Sequence, residues 1–182
     1  MATREQIKEE KKNKKWLLLL LLLLLLLIVA IGVTVWSLFF RVKPTLTPDY
    51  APRQEEQYVK DIGDSGDEKL PQAEGGGAVS LTYTTKVTVD LSDRMASLYF
   101  ANPSKSNQDI VLQIIVQDVV IAQSGTISPG KQLDRLALLE EAVPMLSAGG
   151  YNGWFKVLYY QPDTHEKTIV NTEIPVNITV EP

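Results

Sequence analysis

The sequence predicts one membrane-spanning α-helix followed by an all-β domain, an antiparallel sandwich of about seven or eight strands. Two observations carry this prediction. Residues 16–40 form an uncharged stretch with an unbroken run of leucine from Leu17 to Leu27. In residues 78–182, apolar and polar side chains alternate in short segments separated by Gly and Pro turns, with almost no helical periodicity. The chain therefore divides into a membrane part and a β part.

The uncharged stretch is long enough to cross a bilayer as a helix. At about 1.5 Å per residue it spans roughly 37 Å, against a hydrocarbon core of about 30 Å. Aromatic residues, which favour the headgroup level, stand at both of its ends. The predicted membrane-interface residues are Trp16, Trp36, Phe39 and Phe40. We therefore expect the lipid bilayer to be a partner of this segment.

The flanking charges predict the orientation. Residues 1–15 contain six Lys or Arg and three acidic residues, whereas residues 41–182 contain twelve basic and nineteen acidic residues. Because Lys and Arg next to a span resist translocation, we expect a basic cytoplasmic tail at 1–15 and an extracytoplasmic C-terminal part. A cleaved signal peptide is the alternative, but its apolar core would be about 7–15 residues long and would end in small residues. Trp36–Arg41 offers no such site, which favours an uncleaved signal anchor in the cell membrane.

Residues 41–77 are predicted to be a disordered acidic linker. They contain four prolines, many acidic residues and a run of three glycines, without a helical or alternating pattern. Asp61, Asp64, Asp67 and Glu68 raise the possibility of calcium, but a calcium loop places its carboxylates on alternate residues, and here they are three apart. We therefore expect a solvated acidic segment without a bound metal.

The β part contains segments whose side chains alternate between apolar and polar, or that are apolar throughout. The predicted strands are Val79–Tyr83, Val87–Leu91, Leu98–Phe100, Ile110–Val116, Val119–Gln123, Leu133–Leu139, Tyr151–Tyr160, Lys167–Val170 and Ile174–Val180, of which the first two form one long strand. Together they predict an extracytoplasmic domain at 78–182.

Turn residues punctuate these strands. Gln117-Asp118 predicts a tight hairpin turn, and Ser128-Pro129-Gly130 predicts a second turn, because Pro presets φ and Gly tolerates a positive φ. Pro175 cannot donate to a ladder, so the last strand is expected at an edge or with a bulge there. Segment 136–146 fits either a strand or a short helix, although Pro144 limits a helix.

Three motifs carry a resemblance to a known architecture. They are Leu98–Pro103 (LYFANP), Ser124–Gly130 (SGTISPG) and Leu146–Tyr151 (LSAGGY). The order of strand, "NP", "PG" turn and glycine before a tyrosine resembles immunoglobulin-like β-sandwich domains of Gram-positive, membrane-anchored surface proteins. The resemblance covers 78–182 and implies an architecture but no ligand, since the paired cysteines of antibody domains are absent.

Composition excludes several kinds of chemistry. Without cysteine there is no disulfide, thiolate zinc site or iron–sulfur cluster, and a cysteine-free exported domain favours a bacterial envelope, with a Gram-positive source expected. The acidic exported part argues against nucleic acid as a partner. His165 is the only histidine and falls in a turn, and neighbouring Glu140 and Glu141 would point to opposite faces of a strand. We therefore expect no cofactor and no enzymatic activity.

The strand Tyr151–Tyr160 holds the best candidates for an interaction. Alternation places Tyr151, Phe155 and Tyr159 on one face, taken to be the core, and Trp154 and Tyr160 on the other. Trp154 and Tyr160 are therefore the predicted protein-binding residues.

The favoured hypothesis is a non-enzymatic binding or assembly module tethered at the cell envelope, with an unidentified protein or cell-wall partner. A second hypothesis is a bitopic subunit of a larger envelope complex, such as a secretion or conjugation apparatus. A tethered enzyme is the third, and the sequence favours it least.

Overall fold

The computed structural model describes residues 4–39, 47–63, 68–71 and 77–182. The chain divides into two compact units, Met1–Arg41 and Val42–Pro182. The first contains helix α1, Arg4–Phe39, which also includes much of the predicted basic tail. Within the described residues, α1 is the one helix long and apolar enough to cross a membrane, over Trp16–Val33, by length and composition alone. Phe40 lies outside the described residues.

The second unit is built of strands. In its described part these are β1 (Val59–Asp61), β2 (Thr82–Tyr83), β3 (Lys86–Asp90), β4 (Met95–Asn102), β5 (Asp109–Val116), β6 (Val119–Gln123), β7 (Lys131–Ala137), β8 (Gly149–Tyr160) and β9 (Lys167–Glu181). A short 3-10 helix, Val143–Met145, lies between β7 and β8 and includes Pro144. Segment 136–146 is thus the end of a strand followed by a short 3-10 helix.

The strands form one sheet that curls into two layers. Its order is β1-β7-β4-β3-β9-β8-β5-β6, and β2 also pairs with β4. The curl brings β6 back to the end of β7, where the Leu139 N–H donates to the Ile121 carbonyl at 2.8 Å. Phe100 of β4 meets Phe155 of β8 edge-to-face across the interior, with ring centroids 5.8 Å apart. The core therefore lies inside the curl.

The purely antiparallel sandwich is not confirmed, because the sheet is mixed. Strand β3 pairs with β9 in parallel, from Lys86 opposite Asn177 to Asp90 opposite Glu181. The two last predicted strands are also one continuous strand of 15 residues. Alternation specifies which face of a strand is buried, but it does not specify which strand lies beside it, so this pairing had no local signal.

The predicted turns are confirmed. Gln117 and Asp118 both have positive φ, 49° and 63°, as the two-residue turn of a tight hairpin between β5 and β6 requires. Gly130 also has a positive φ, 89°, at the turn before β7. Pro175 pairs with Trp154 of β8, whereas β3 joins β9 only from Asn177 onwards. Pro175 therefore has a described strand on one side only, as expected for its missing N–H.

The disordered linker predicted for 41–77 is wrong for its described segment 47–63, which lies along the β unit. Strand β1 pairs with β7, and the Lys131 ammonium lies 2.9 Å from the Asp61 carboxylate. Tyr58 and Val59 pack against the core, although their spacing makes no recognisable period. Residues 41–46, 64–67 and 72–76 of the predicted linker lie outside the described residues. Asp64 and Asp67, two of the four acidic residues considered for calcium, are among them.

Candidate interaction site

Strand β8 orients the aromatic residues as alternation predicts. Phe155 and Val157 are fully buried in the core, and Tyr159 joins them. Trp154 points to the opposite face and is 49% exposed. Neighbouring side chains in a strand point to opposite faces, so the burial of Phe155 dictates the exposure of Trp154.

Trp154 belongs to an apolar strip across three strands. It lies directly opposite Ile115 of β5 on one side and Pro175 of β9 on the other. Directly opposed residues share one face of a sheet, so the three side chains form a row, here called the Trp154 strip. Pro175 is exposed and Ile115 is half-buried.

Polar rows frame this strip on both sides. On one side, Lys156 of β8 lies opposite Gln113 and Glu173, and its ammonium is 3.8 Å from the Glu173 carboxylate. On the other side, Asn152 pairs with Asn177. An exposed aromatic anchor within a polar frame has the composition of a protein-binding hot spot.

Tyr160, the second predicted contact residue, is buried and is therefore not available at the surface. It packs with Ala51, Val111 and Leu158, and its hydroxyl donates to the Pro48 carbonyl at 3.0 Å. Burial, together with the nearby Asp49, raises the pKa of Tyr160 to about 12. Alternation alone leaves this face of β8 in solvent if residues 41–77 are disordered, whereas residues 48–51 cover Tyr160.

A second feature, which no sequence motif indicated, is a cleft beside the first half of β9. Its volume is about 590 Å³. The lining of this cleft, here called the β9 cleft, includes Val79, Gln108, Tyr159, Thr168, Val170 and Thr172. On its floor the hydroxyls of Tyr159 and Thr172 lie 2.7 Å apart.

Val170 is an exposed apolar residue of this cleft. Val170 is 66% exposed, whereas Ile174 and Val176 of the same strand are 6% and 3% exposed. The pairing of β9 with β8 is irregular next to Val170, between the pairs Leu158–Asn171 and Tyr160–Lys167. A regular alternation from Ile174 back to Val170 would bury this side chain, and the irregular pairing is not visible in the sequence.

The other residues singled out from the sequence, His165, Glu140 and Glu141, lie in two different turns. His165 lies in the turn before β9 and is exposed, with a φ of 58°. Glu140 and Glu141 lie in a turn after β7 rather than in a strand, and both are exposed. Among the described residues, no group of three or more His, Asp or Glu is placed to hold a metal ion.

The comparisons with known proteins give only weak likenesses. No protein-family model matches the sequence. No curated protein matches it either. Among solved structures, the chain is similar to the E. coli chaperone DraB, with 12% identity over 58% of this chain and 56% of that chain, and a TM-score of 0.39. It is similar to the Salmonella enterica SafA pilin in complex with the SafB chaperone, with 15% identity over 62% of this chain and 58% of that one, and a TM-score of 0.38.

A third similar structure is AggA, the major subunit of aggregative adherence fimbriae type I from Escherichia coli. The identity is 13% over 63% of this chain and 100% of that chain, with a TM-score of 0.29. The chain spans a little over half of the first two structures, 56% and 58%. At these TM-scores the likeness assigns neither a fold family nor a function, and the immunoglobulin-like architecture stays a prediction. The expected Gram-positive origin gains no support.

Proposed function

We propose that this protein is a single-pass, membrane-anchored β-domain protein, a non-enzymatic binding or assembly module at the cell envelope. Its N-terminus is cytoplasmic and its β unit extracytoplasmic, and the Trp154 strip contacts a protein or cell-wall partner. The observation that carries the proposal is the apolar surface of helix α1, followed in the chain by a β unit that presents an exposed tryptophan.

The helix supports the anchoring. Every large hydrophobic side chain between Trp16 and Val33 is exposed, from 53% at Leu24 to 70% at Trp16. Such a continuous apolar surface is far larger than a soluble monomer leaves in water. Its length over these residues, about 27 Å at 1.5 Å per residue, approaches the thickness of the hydrocarbon core. Lipid is the cover that fits an apolar surface on all sides of one helix.

Cysteine labelling tests the orientation, because the chain has no cysteine of its own. Single variants Thr3→Cys and Glu181→Cys are treated on intact protoplasts with a membrane-impermeant maleimide. We expect labelling of Glu181→Cys at once, and of Thr3→Cys only after permeabilisation. The reverse pattern would refute the orientation. An N-terminal tag lost from the mature protein would show that the helix is a cleaved signal peptide.

Site-specific photo-crosslinking tests the Trp154 strip. A photoreactive residue at position 154 should cross-link a discrete partner in cells, whereas the same residue at Tyr83, also an exposed aromatic, should not. Trp154→Ala should weaken recovery of that partner without unfolding the domain. Equal cross-linking from both positions would argue against a specific surface at Trp154.

A further inference from the structure

We propose that the Trp154 strip, with the polar rows on either side of it, binds the same face of a second copy of this chain and so forms a symmetric dimer. This inference rests on the proposed function, because it names the partner of the surface assigned there. The two sheets pack face to face, about 10 Å apart, around a two-fold axis that runs between β8 and β9 along the strands.

Three directly opposed pairs of β8 and β9 make up the centre of this face. They are Asn152 with Asn177, Trp154 with Pro175, and Lys156 with Glu173. The register is regular from Gly149 to Leu158, so the irregular part of this pairing lies outside these rows. In each pair, the two side chains therefore lie side by side on the outer face of the sheet.

A two-fold axis along the strands makes these pairs self-complementary. Half a turn about a line midway between β8 and β9 places β9 of the second copy over β8 of the first, and it keeps every residue at the same height along the strands. Trp154 then faces Pro175 of the second copy, and in the same way Lys156 faces Glu173. Each contact occurs twice, as in every two-fold interface.

The central pair is complementary in size. Trp154 projects from the sheet and is 49% exposed, whereas its neighbour Pro175 has a short, compact ring. In the symmetric arrangement each tryptophan packs on a proline and not on the other tryptophan. A large side chain then opposes a small one, which is the alternation that two packed layers need. Ile115, beside Trp154 on β5, extends the apolar contact.

The charged row is complementary in the same way. Within one chain, the Lys156 ammonium lies 3.8 Å from the Glu173 carboxylate. In the dimer each ammonium also faces the carboxylate of the second copy, so two positive and two negative charges alternate in one network. Residues 41–182 contain twelve basic and nineteen acidic residues, so two copies repel each other on average. The three pairs carry one charge of each sign, which favours this face for self-association.

The direction of the axis suits two chains held in one membrane. The β unit begins beside the start of β9, where the Lys167 N–H donates to the Asp49 carbonyl at 2.8 Å. An axis along the strands keeps this beginning at the same end of both copies, whereas an axis across the strands would put the two beginnings at opposite ends. The interface is small, of the weak class below about 1,200 Å². Confinement to one bilayer supports such a contact by raising the effective concentration.

Cross-linking of the full chain in its membranes tests this dimer, since the chain has no cysteine of its own. One copy carries Asn152→Cys and a first tag, and a co-expressed copy carries Asn177→Cys and a second tag. A bismaleimide that spans about 10 Å, the separation of packed sheets, should join them into a species with both tags. The matched control replaces Asn177→Cys by Glu140→Cys, an exposed position outside the three rows, and should give less than about a tenth as much product. Equal yields from the two combinations would contradict the proposed face.

Charge reversal then tests the symmetry. Lys156→Glu in both copies, or Glu173→Lys in both copies, creates two like-charge contacts between the copies and should reduce the cross-linked product about fivefold. Lys156→Glu in one copy and Glu173→Lys in the other creates two opposite-charge contacts and should restore the product. This rescue also shows that both variants fold.

The other outcomes overturn the proposal in distinguishable ways. Cross-linking that single reversals leave unchanged would assign the association to helix α1 or another surface, and reversals without rescue would refute the two-fold arrangement. If the copies do not cross-link but a photoreactive residue at 154 captures a different protein, the dimer is refuted and the proposed function stands. If neither reaction gives a product, both proposals fail.

Discussion

Truncating Phe155 to alanine should destabilise the β unit far more than truncating its neighbour Trp154. Phe155 is fully buried and meets Phe100 at 5.8 Å across the two layers. Phe→Ala in a core typically costs about 3–5 kcal/mol, because the removed ring leaves a cavity that the surroundings fill only in part. Trp154 is 49% exposed and leaves no closed cavity, so its truncation should cost about 0.2–1 kcal/mol, the usual range of a cross-strand contact.

Urea unfolding of the unit 42–182, followed by far-ultraviolet circular dichroism, measures both costs without relying on tryptophan fluorescence. With a slope of about 2 kcal/mol per molar urea, the midpoint should fall by about 1.5–2.5 M for Phe155→Ala and by less than about 0.5 M for Trp154→Ala. If Trp154→Ala shows the larger decrease, the register of β8 is wrong by one residue. The faces would then exchange, and the proposed contact surface would move to Tyr151 and Tyr159.

Three further predictions concern the segment that covers the sheet and one buried carboxyl. The unit 42–182 should unfold at higher urea than residues 78–182, which lack β1 and the cover over Tyr160; equal midpoints would mean that the covering segment adds nothing. Tyr160→Phe removes the hydrogen bond to the Pro48 carbonyl, so amide exchange at Ala51 should accelerate roughly fivefold, as expected for about 1 kcal/mol, and unchanged exchange would contradict this role. Burial raises the pKa of Asp109 above its ordinary 3.8, so the folded state binds this proton more tightly than the unfolded chain does. Stability should therefore fall as the pH rises from about 3.8 through the raised pKa, thermal melting should lose this slope in Asp109→Asn, and an unaltered slope would exclude Asp109 as its source.

Local sequence features were sufficient for the elements that depend on local physics. The apolar stretch that starts at Trp16 predicts the helix, because length and composition alone decide whether a helix suits a bilayer. The alternation in β8 separates Phe155 from Trp154, because successive side chains of a strand point to opposite faces. Gln117-Asp118 predicts a tight hairpin turn, because two residues with positive φ match the twist of the flanking strands.

Which strands and segments lie beside one another was decided only by the tertiary structure. The parallel pairing of β3 with β9 joins residues far apart in sequence, and no local pattern distinguishes it from an antiparallel one. Residues 47–63 lack a period, and they are ordered because hydrogen bonds and ion pairs to distant strands hold them, which is also why Tyr160 is covered. The direction of a side chain is set by its own strand, and the sequence of that strand predicts it. Whether the side chain is then buried depends on residues elsewhere in the chain, which only the tertiary structure brings next to it.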